Sequence, residues 1–290
     1  MKKIVVFCIV YLFCMDGFSQ FPIHTLLPMV VSGVGFGDTL LNTHAVLLRE
    51  GIKKITAYQT SSRDRGSFTT TYTVNDGRIE SRAWCYRRSP DSAFRFCLHD
   101  TLLYNNKGGL QDYWSGNSKE TAQMKMTRED KGAGHVTITW ITKDPQRPAP
   151  HISIYHQVYN NKGQLISQQY DPKEKYIVNA SLYYNADGLP DSIRHENPEW
   201  GTYVFNRRQK GRNTVLTLES ARVSNKWVYN QAGQCLSSVW LTKYSTTMRN
   251  SDKGTLFSEV DYHYNKDGTL SKVVEKNAGY KVTTVYSYTR

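Results

Sequence analysis

The densest group of side chains that could exchange protons lies between positions 191 and 199. Asp191, His195, Glu196 and Glu199 combine carboxylates with an imidazole, the residue types that general acid–base catalysis uses. Two converging carboxylates would suit hydrolysis of a glycosidic bond. The segment connects two predicted strands, however, where charged residues also keep a loop soluble. We therefore predict no catalytic residue and no enzymatic activity, and keep a hydrolase acting on an extracellular polysaccharide as an alternative.

Metal and cofactor sites are not predicted either. His151 and His156 are five positions apart, so on one strand they point to opposite faces and cannot bind the same ion. The glycine-rich run 33–37 is followed by Asp38, where a dinucleotide-binding loop would need Gly. The sequence therefore predicts a protein without metal or cofactor.

The cysteine pattern agrees with an exported protein. Cys85 and Cys97 are equidistant from Asp91, which lies in a predicted turn, so they can face each other across a hairpin. We expect a disulfide between them, as is common outside the cytoplasm. Cys235 is expected to be a small buried apolar residue rather than a nucleophile.

The first 19 residues have the pattern of a secretory signal peptide. Lys2 and Lys3 form a basic start, residues 4–13 an apolar core, and residues 17–19 a cleavage site of mostly small residues. Cys14 leaves lipid attachment open as an alternative. An extracytoplasmic location follows, in the periplasm, at the cell surface or outside the cell, and no transmembrane segment is expected after the leader.

The chain is basic, with a formal net charge of +12. Removing the leader takes away Lys2, Lys3 and Asp16, which gives 12 − 2 + 1 = +11. Most of the cations are scattered over predicted turns and are interpreted as solvated loop residues. The one cluster, residues 207–212, is predicted to lie in a hairpin loop, and no nucleic-acid partner is expected.

A heptapeptide, Tyr159–Leu165, recurs in looser form along the chain. Its Asn-x-x-Gly core, ending in Gly163, suits a tight turn whose last residue has a positive φ, which Gly adopts without steric cost. If Asn160 pairs with Gln164 across the turn, Tyr159 and Leu165 become cross-strand neighbours. The same slots hold Tyr104, Gly108 and Leu110; Tyr184, Gly188 and Pro190; Tyr229, Gly233 and Cys235; and Tyr264, Gly268 and Leu270.

Two copies of this repeat depart from the pattern. Pro190 cannot donate a hydrogen bond to a neighbouring strand, so the second strand of its copy is expected to be an edge strand or bulged. A sixth copy, residues 73–79 around Gly77, lacks the Tyr.

From position 53 onward the chain reads as short alternating strands joined by turns. Residues 68–74 alternate with period 2, and in residues 152–158 Ile and Val alternate with Ser, Tyr and Gln. We predict roughly sixteen to eighteen strands with antiparallel neighbours. The fold class is all-β: a long, curved antiparallel meander of hairpins, with one short helix within residues 38–50. The predicted organisation is a leader (1–19), an N-terminal segment with the helix (20–52) and a hairpin-repeat domain (53–290).

Aromatic residues are the best candidates for binding. The chain has 20 Tyr and 6 Trp, and an aromatic ring offers a sugar a broad apolar face. The repeat Tyr residues are assigned to the hairpins themselves. The candidate binding residues are therefore Trp114, Trp140, Trp200, Trp227 and Trp240.

The repeated Tyr-Asn-x-x-Gly-x-Leu motif, from Tyr104 to Tyr264, resembles the tyrosine-aspartate (YD) repeats of Rhs-like bacterial surface and secreted proteins, with Asn in place of Asp. The resemblance covers roughly residues 70–280. It implies extracytoplasmic β-hairpin repeats, which in some members bind carbohydrate and in others form shells around toxin domains. The shell function is not expected of 290 residues.

Together these features predict a secreted or envelope-associated, non-catalytic β-repeat protein with a glycan or a surface protein as partner. Besides the hydrolase, an outer-membrane β-barrel is the second alternative, because a leader and alternating strands are what such a protein shows. Charges within many strands argue against that alternative.

Overall fold

The structure, a computed structural model, describes residues 44–63, 66–88, 93, 96–104, 110–116, 124–143, 149–162, 164–171, 179–186, 190–195, 201–220, 223–242, 256–277 and 279–290. The predicted leader and the start of the predicted helix lie outside these residues. The described chain forms two compact units, which we call the β1–β9 unit (residues 44–179 with 284–290) and the β10–β17 unit (residues 180–283).

A single short helix precedes the strands in the described residues. Helix α1 (His44–Arg49) ends in a Schellman motif at Gly51, whose φ is +61°. The Gly51 amide donates to the Leu48 carbonyl at 3.1 Å, and the Ile52 amide donates to the Leu47 carbonyl at 3.0 Å. Leu47 and Ile52 are both buried, so the motif also anchors the helix by apolar contact. No helix among the described residues is long and apolar enough to cross a membrane.

The β1–β9 unit is a run of antiparallel neighbours, each strand pairing with the next in sequence. Its strands are β1 (Lys54–Ser61), β2 (Ser67–Asn75), β3 (Arg78–Arg87), β4 (Phe96–Tyr104), β5 (Leu110–Ser115), β6 (Met124–Gly132), β7 (His135–Thr142), β8 (His151–Tyr159) and β9 (Leu165–Asp171). The last part of β18 (Tyr280–Thr289) also belongs to this unit and pairs with β1, and there the Lys53 amide donates to the Thr289 carbonyl at 2.9 Å.

The β10–β17 unit follows the same plan. Its strands are β10 (Ala180–Tyr184), β11 (Pro190–His195), β12 (Thr202–Lys210), β13 (Asn213–Glu219), β14 (Val223–Tyr229), β15 (Cys235–Thr242), β16 (Leu256–Tyr264) and β17 (Leu270–Asn277), followed by the first residues of β18. The prediction of an all-β antiparallel meander is therefore confirmed, with eighteen strands among the described residues.

Most strands bury one face, as the period-2 pattern requires. On β2, Tyr72 and Val74 are buried while Thr73 between them is exposed. Their neighbours on adjacent strands, Ile55 on β1 and Ile79 on β3, are buried with them. Burying such side chains contributes about 1.5–3 kcal/mol each, which fixes the register of the sheet.

Strand β8 reverses this polarity. Ile152 is 45% exposed, whereas Ser153, Tyr155 and Gln157 on the other face are buried. Gln157 can be buried because its side-chain amide donates to Gln168 Oε1 at 2.7 Å. A buried amide without a partner would cost about 1–3 kcal/mol, so this pair holds β8 and β9 in register.

The repeated hairpins have the predicted cross-strand pairs. Tyr159 lies opposite Leu165, and the Asn160 amide donates to the Gln164 carbonyl at 2.9 Å. The other pairs are Tyr104 with Leu110, Tyr184 with Pro190, Tyr229 with Cys235 and Tyr264 with Leu270. Gly233 and Gly268 have φ values of +76° and +87°, as the turn requires. Gly108, Gly163 and Gly188 lie outside the described residues.

Each of these five hairpins contains a bulge that the sequence did not reveal. The register shifts between the repeat Tyr and the residue before it, because one extra residue follows the Leu slot on the second strand. In the last copy the extra residue is Ser271, whose hydroxyl donates to the His263 carbonyl at 3.0 Å. The bulge next to Pro190 is thus common to the repeat, and β11 pairs on both sides rather than forming an edge.

The prediction of a sixth copy at residues 73–79 is wrong in its register. Val74, not Thr73, lies opposite Ile79. Asn75 pairs with Arg78, so the loop contains only two residues, Asp76 and Gly77, both with positive φ. Asp-Gly favours this two-residue type I′ turn, which is shorter than the Asn-x-x-Gly loop of the other copies.

Two of the repeat Tyr hydroxyls link successive hairpins. Tyr104 donates to the Ile79 carbonyl and Tyr264 donates to the Cys235 carbonyl, each at 2.9 Å. In both cases the acceptor occupies the Leu position of the preceding hairpin. Tyr104 and Tyr264 therefore do more than pair within their own turn, because each ties its hairpin to the one before it, whereas the Tyr159 hydroxyl donates to Gln157 on its own strand at 2.8 Å.

Candidate functional site

The candidate site is an aromatic cluster on the strands β2 and β3. Phe68 lies opposite Tyr86, and Trp84 is two residues from Tyr86 on the same face of β3. The Phe68 and Trp84 rings are stacked, with centroids 4.8 Å apart and 13° between their planes. The Tyr86 ring centroid is 4.9 Å from that of Phe68. We call Phe68, Trp84 and Tyr86 the aromatic platform.

The aromatic platform is partly open to solvent. All three rings are half-buried, and Leu98, which lies opposite Trp84 on β4, is 46% exposed. Gly66 provides room for the Tyr86 ring, since a Cβ atom at this position would lie 2.4 Å from the Tyr86 hydroxyl oxygen. The Phe68 and Trp84 rings lie in nearly parallel planes and the Tyr86 ring is tilted by 44° against Phe68, so the half-buried rings present apolar surface on which another flat group can pack.

A disulfide supports the aromatic platform from behind. Cys85 and Cys97 lie opposite each other on β3 and β4, and their Sγ atoms are bonded with Cα atoms 4.1 Å apart. Cys85 lies between Trp84 and Tyr86 in sequence, so the bond is on the other face of the same strands. The pairing is the one expected from the sequence. It joins β3, which carries Trp84 and Tyr86, to β4, which carries Leu98.

Beside the aromatic platform, on the same face of β3 and β4, lies a buried charged network. Asp100 is 4% exposed; its Oδ2 atom accepts hydrogen bonds from Arg82 Nε and Nη2, while Tyr113 donates to its Oδ1 atom at 3.2 Å. Burial, followed by the Asp100 charge, raises the pKa of Tyr113 well above its usual range. Both carboxylate oxygens are thus satisfied, and the network stabilises the sheet rather than offering a proton donor.

A second buried carboxylate, Glu275, lies in the β10–β17 unit. It accepts hydrogen bonds from Asn277 Nδ2 at 2.6 Å and Ser258 Oγ at 3.4 Å, and burial raises its pKa. Within the described part of the chain, no three His, Cys, Asp or Glu side chains are grouped to hold a metal ion.

The candidate tryptophans are distributed over different surfaces. Trp140 packs against Tyr113 on β5, with ring centroids 5.7 Å apart. Trp114 points to the opposite face of β5 from Tyr113, because neighbouring residues of a strand alternate. Trp227 is buried at 8% exposure in the β10–β17 unit. Trp200 and the side chain of Trp240 lie outside the described residues, and Trp114 and Trp140 face opposite sides of their sheet.

Sequence reasoning missed Trp84, the sixth tryptophan. A signal was present, since Trp84 and Tyr86 are two positions apart and Phe68 falls within the alternating run of β2. Assigning the partner of β3 was needed to place the three rings together, and this depended on the two-residue turn at Asp76 and Gly77.

Only part of the predicted acid–base group lies within the described residues. Asp191 is exposed on β11, His195 ends that strand, and Glu196 and Glu199 lie outside the described residues.

The other candidate residues for metal binding or nucleophilic chemistry lie apart from this group in sequence. His151 contacts Ser153 with Nε2 and Oγ 3.1 Å apart, and His156 is on the opposite face of β8. Cys235 is fully buried in the Leu position of its hairpin, and its thiol donates to the Ser237 carbonyl at 3.2 Å.

Comparison with known proteins gives no family. No family model matches the chain, and no curated protein matches it. Among solved structures, the chain is similar to a porin-like protein from Bacteroides uniformis, with 9% identity, a TM-score of 0.36, and coverage of 82% of this chain and 96% of that one.

Two further structural matches were found. One is the Tc holotoxin pore of Photorhabdus luminescens, with 10% identity and a TM-score of 0.27; the match covers 72% of this chain and 14% of that one. The other is a DUF1329 family protein from Desulfovibrio piger, with 8% identity, a TM-score of 0.26, and coverage of 84% and 89%.

Proposed function

We propose that the protein is an extracytoplasmic, non-catalytic β-hairpin repeat protein that binds a glycan through the aromatic platform. The observation that carries the proposal is the stacked pair of Phe68 and Trp84, with Tyr86 beside them, on a partly exposed surface. The apolar face of a sugar ring packs against such a surface, while the sugar hydroxyls remain free to bond to polar groups at its edge.

The location rests on the sequence and on the disulfide. The basic start and short apolar core of the first 19 residues are typical of export. The bond between Cys85 and Cys97 is of the kind that persists in oxidising compartments.

The repeat architecture supports the resemblance to YD-repeat proteins. In the repeated hairpins of this chain the Tyr and Leu positions are cross-strand partners, and two of the repeat tyrosines, Tyr104 and Tyr264, donate hydrogen bonds to the preceding hairpin. A repeat of this kind builds sheet by hairpin addition and leaves strand faces free for binding. Glycan binding by some YD-repeat proteins is therefore a precedent for the role proposed here.

An outer-membrane β-barrel is the second candidate, and strand β8 favours it. There apolar Ile152 faces outward and polar Gln157 faces inward, which is the alternation of a membrane-spanning strand. Strands β16 and β17 argue the other way, because on one exposed face Lys276 Nζ lies 3.1 Å from Asp261 Oδ2 and 3.6 Å from Glu259 Oε2. A charge at the middle of a lipid-facing surface costs about 2–4 kcal/mol.

The binding proposal is tested by replacing Trp84 with Ala and screening the mature protein against an array of neutral bacterial and plant oligosaccharides. For the oligosaccharide bound most tightly by the wild type, we expect affinity to fall about tenfold, equivalent to roughly 1.4 kcal/mol. Trp114→Ala removes a Trp from the opposite face and should leave affinity unchanged. Gly66→Ala, which must displace the Tyr86 ring, should weaken binding while keeping Trp84 in place.

Several outcomes would reject the proposal. Equal loss in Trp84→Ala and Trp114→Ala would show that the platform is not the site, and wild-type protein that binds no glycan would favour a protein partner. Release of reducing sugars from a bound polysaccharide would favour the hydrolase. Recovery of the exported protein in outer membranes, resistant to alkaline carbonate, would favour the β-barrel.

A further inference from the structure

The hairpin formed by β12 and β13 carries a concentrated positive charge at its tip. Lys210 pairs with Asn213, which leaves Gly211 and Arg212 as a two-residue turn in which Gly211 has a φ of +61°. Gly at the first turn position favours a type II′ hairpin. We call Arg207, Arg208, Lys210 and Arg212 the basic hairpin tip.

The strand assignment corrects the sequence prediction that this cluster lies in a loop. Arg207, Arg208 and Lys210 belong to β12, which continues with regular pairing to the turn. Residues 207–210 lack the alternating apolar residues that mark a strand. Their strand conformation therefore depends on pairing with β13, where Val215 and Leu216 are buried. The cations are consequently held on a hydrogen-bonded frame instead of a variable loop.

All four side chains of the basic hairpin tip are exposed. Arg208 and Lys210 are two residues apart and share a face, about 7 Å apart along the strand. Arg207 points to the other face and Arg212 lies at the turn. Strand β11 pairs with β12 only at residues 202–204, so the tip extends past the end of that pairing.

No carboxylate compensates this charge in the described part of the chain. The partners of the tip on β13 are Asn213, Val215 and Leu216, and the next strand places the neutral residues Val228 and Trp227 beside them. Within the described residues, none of the four cations forms an ion pair. Two other exposed cations are paired: Arg290 reaches Glu50, and Lys276 reaches two carboxylates.

We propose that the basic hairpin tip binds an anionic polysaccharide. Guanidinium groups bind carboxylate and phosphate groups through paired hydrogen bonds, and three of the four tip residues are Arg. The spacing of cations along the strand allows successive charged groups of a polymer to be bound at once. This surface lies in the β10–β17 unit and works by charge, so it is independent of the aromatic platform.

A polysaccharide fits the tip better than nucleic acid or membrane. Residues 207–214 read Arg-Arg-Gln-Lys-Gly-Arg-Asn-Thr and contain no aromatic ring to stack on a base. They also contain no apolar side chain to enter the acyl region of a bilayer. The signal peptide expected from the sequence would bring the protein to glycans rather than to nucleic acid.

The test measures binding of the mature protein to immobilised polygalacturonate, with neutral dextran as the polymer control. A charge-neutral variant replaces the four tip residues with Gln, and its matched control removes four exposed lysines elsewhere, with the same change in net charge. The tip variant carries Arg207→Gln, Arg208→Gln, Lys210→Gln and Arg212→Gln; the matched control carries Lys54→Gln, Lys162→Gln, Lys266→Gln and Lys272→Gln.

We expect the tip variant to bind polygalacturonate more than tenfold more weakly and the control less than threefold. The slope of log affinity against log salt concentration should fall by about 3, taking about 0.7 for each of four lost contacts. Conversion of the three tip arginines to Lys keeps the charge but removes the paired hydrogen bonds, so we expect this variant to bind more weakly than the wild type and more tightly than the Gln variant. If the Gln variant does not fold, weaker binding by the Lys variant than by the wild type still tests the tip.

Equal losses in the tip variant and the matched control would overturn the proposal, since they would reflect net charge alone. So would tip-dependent binding of duplex DNA, or of vesicles containing anionic lipid, that is tighter than binding of polygalacturonate at the same salt. Binding of dextran that the tip variant weakens as much as binding of polygalacturonate would also reject it, whereas dextran binding lost only in Trp84→Ala belongs to the aromatic platform. A wild-type protein that binds none of these polymers at low salt would reject it as well.

Discussion

Two repeat tyrosines in the β10–β17 unit should respond oppositely to loss of the hydroxyl. Tyr264 donates to the Cys235 carbonyl at 2.9 Å, and this bond joins consecutive hairpins. The Tyr229 hydroxyl oxygen is buried and has no hydrogen-bond partner among the described residues. Both residues occupy the same position of the repeat and replacement by Phe keeps the ring in each, so the two variants differ only in whether a hydrogen bond is lost.

The magnitudes follow from the partners. A typical hydrogen bond contributes about 0.5–1.5 kcal/mol net, so Tyr264→Phe should lower the free energy of unfolding by about 1 kcal/mol. A buried polar group without a partner costs about 1–3 kcal/mol, so Tyr229→Phe should leave stability unchanged or raise it. For a chain of this size, 1 kcal/mol corresponds to about 2–4 °C in Tm.

Urea unfolding monitored by circular dichroism measures both changes, with Tm as a second readout. The slope of free energy against urea should be the same for wild type and variants, because neither change alters the surface exposed on unfolding. The reasoning is refuted if Tyr229→Phe destabilises the protein as much as Tyr264→Phe, or if Tyr264→Phe has no effect. Either result would mean that the hydroxyls do not link successive hairpins in the way described.

Three other perturbations have expected outcomes. Gly134→Ala should unfold the protein at lower urea than Gly132→Ala, because both have positive φ but only the Gly134 Cβ would lie 2.1 Å from a backbone oxygen on β8; equal effects would contradict this. Burial raises the pKa of Tyr104 to about 12 from its usual 10.0, so the contribution of the neutral hydroxyl to stability should be complete below pH 10 and lost as pH rises through 12. When the free energy of unfolding is measured against pH, this loss should be smaller in Tyr104→Phe. Reduction of the bond between Cys85 and Cys97 should cost about 3 kcal/mol, measured by urea unfolding with and without dithiothreitol, and a Cys85→Ser/Cys97→Ser variant should be insensitive to the reductant.

The hairpins could be predicted because their signal is local. Asn-x-x-Gly requires a particular turn, and the turn sets which residues face each other, so the Tyr159 and Leu165 pairing follows from seven residues. The same logic placed Cys85 opposite Cys97, since only the midpoint of the hairpin was needed. Residues 73–79 failed because two overlapping turn signals are present, and Asp-Gly at 76–77 makes the tighter loop.

Features that depend on distant partners could not be predicted in this way. The polarity of β8 depends on Gln157 meeting Gln168 on β9, and period-2 alternation marks two faces without saying which one is buried. The bulge beside each repeat Tyr has no residue signature, since the extra residue is Ser271 in one hairpin and Ile166 in another. Strand β12 similarly acquires its structure from its neighbour.

The candidate site also depends on partners that are distant in the sequence. Tryptophans were chosen from the sequence by residue type, but a binding surface needs rings on adjacent strands that face the same way. Trp84 meets this condition with Phe68, whereas Trp114 and Trp140 lie on opposite faces of their sheet. Only the pairing of β2 with β3 distinguishes these cases, and residue type alone does not contain it.

The exposed charges on β16 and β17 bear on the choice between the two candidate functions. On β16 and β17, Glu259, Asp261 and Lys276 form an exposed ion-pair group, and such groups keep their hydration. Transfer to lipid would require each charge to be neutralised or moved to the interface. Burial of exposed apolar side chains such as Leu98, Ile152 and Val204 would act in the opposite direction, by about 1.5–3 kcal/mol each. The half-buried rings of the aromatic platform and the exposed side chains of the basic hairpin tip are each accessible to polymers in solution, which is the setting that both binding proposals need.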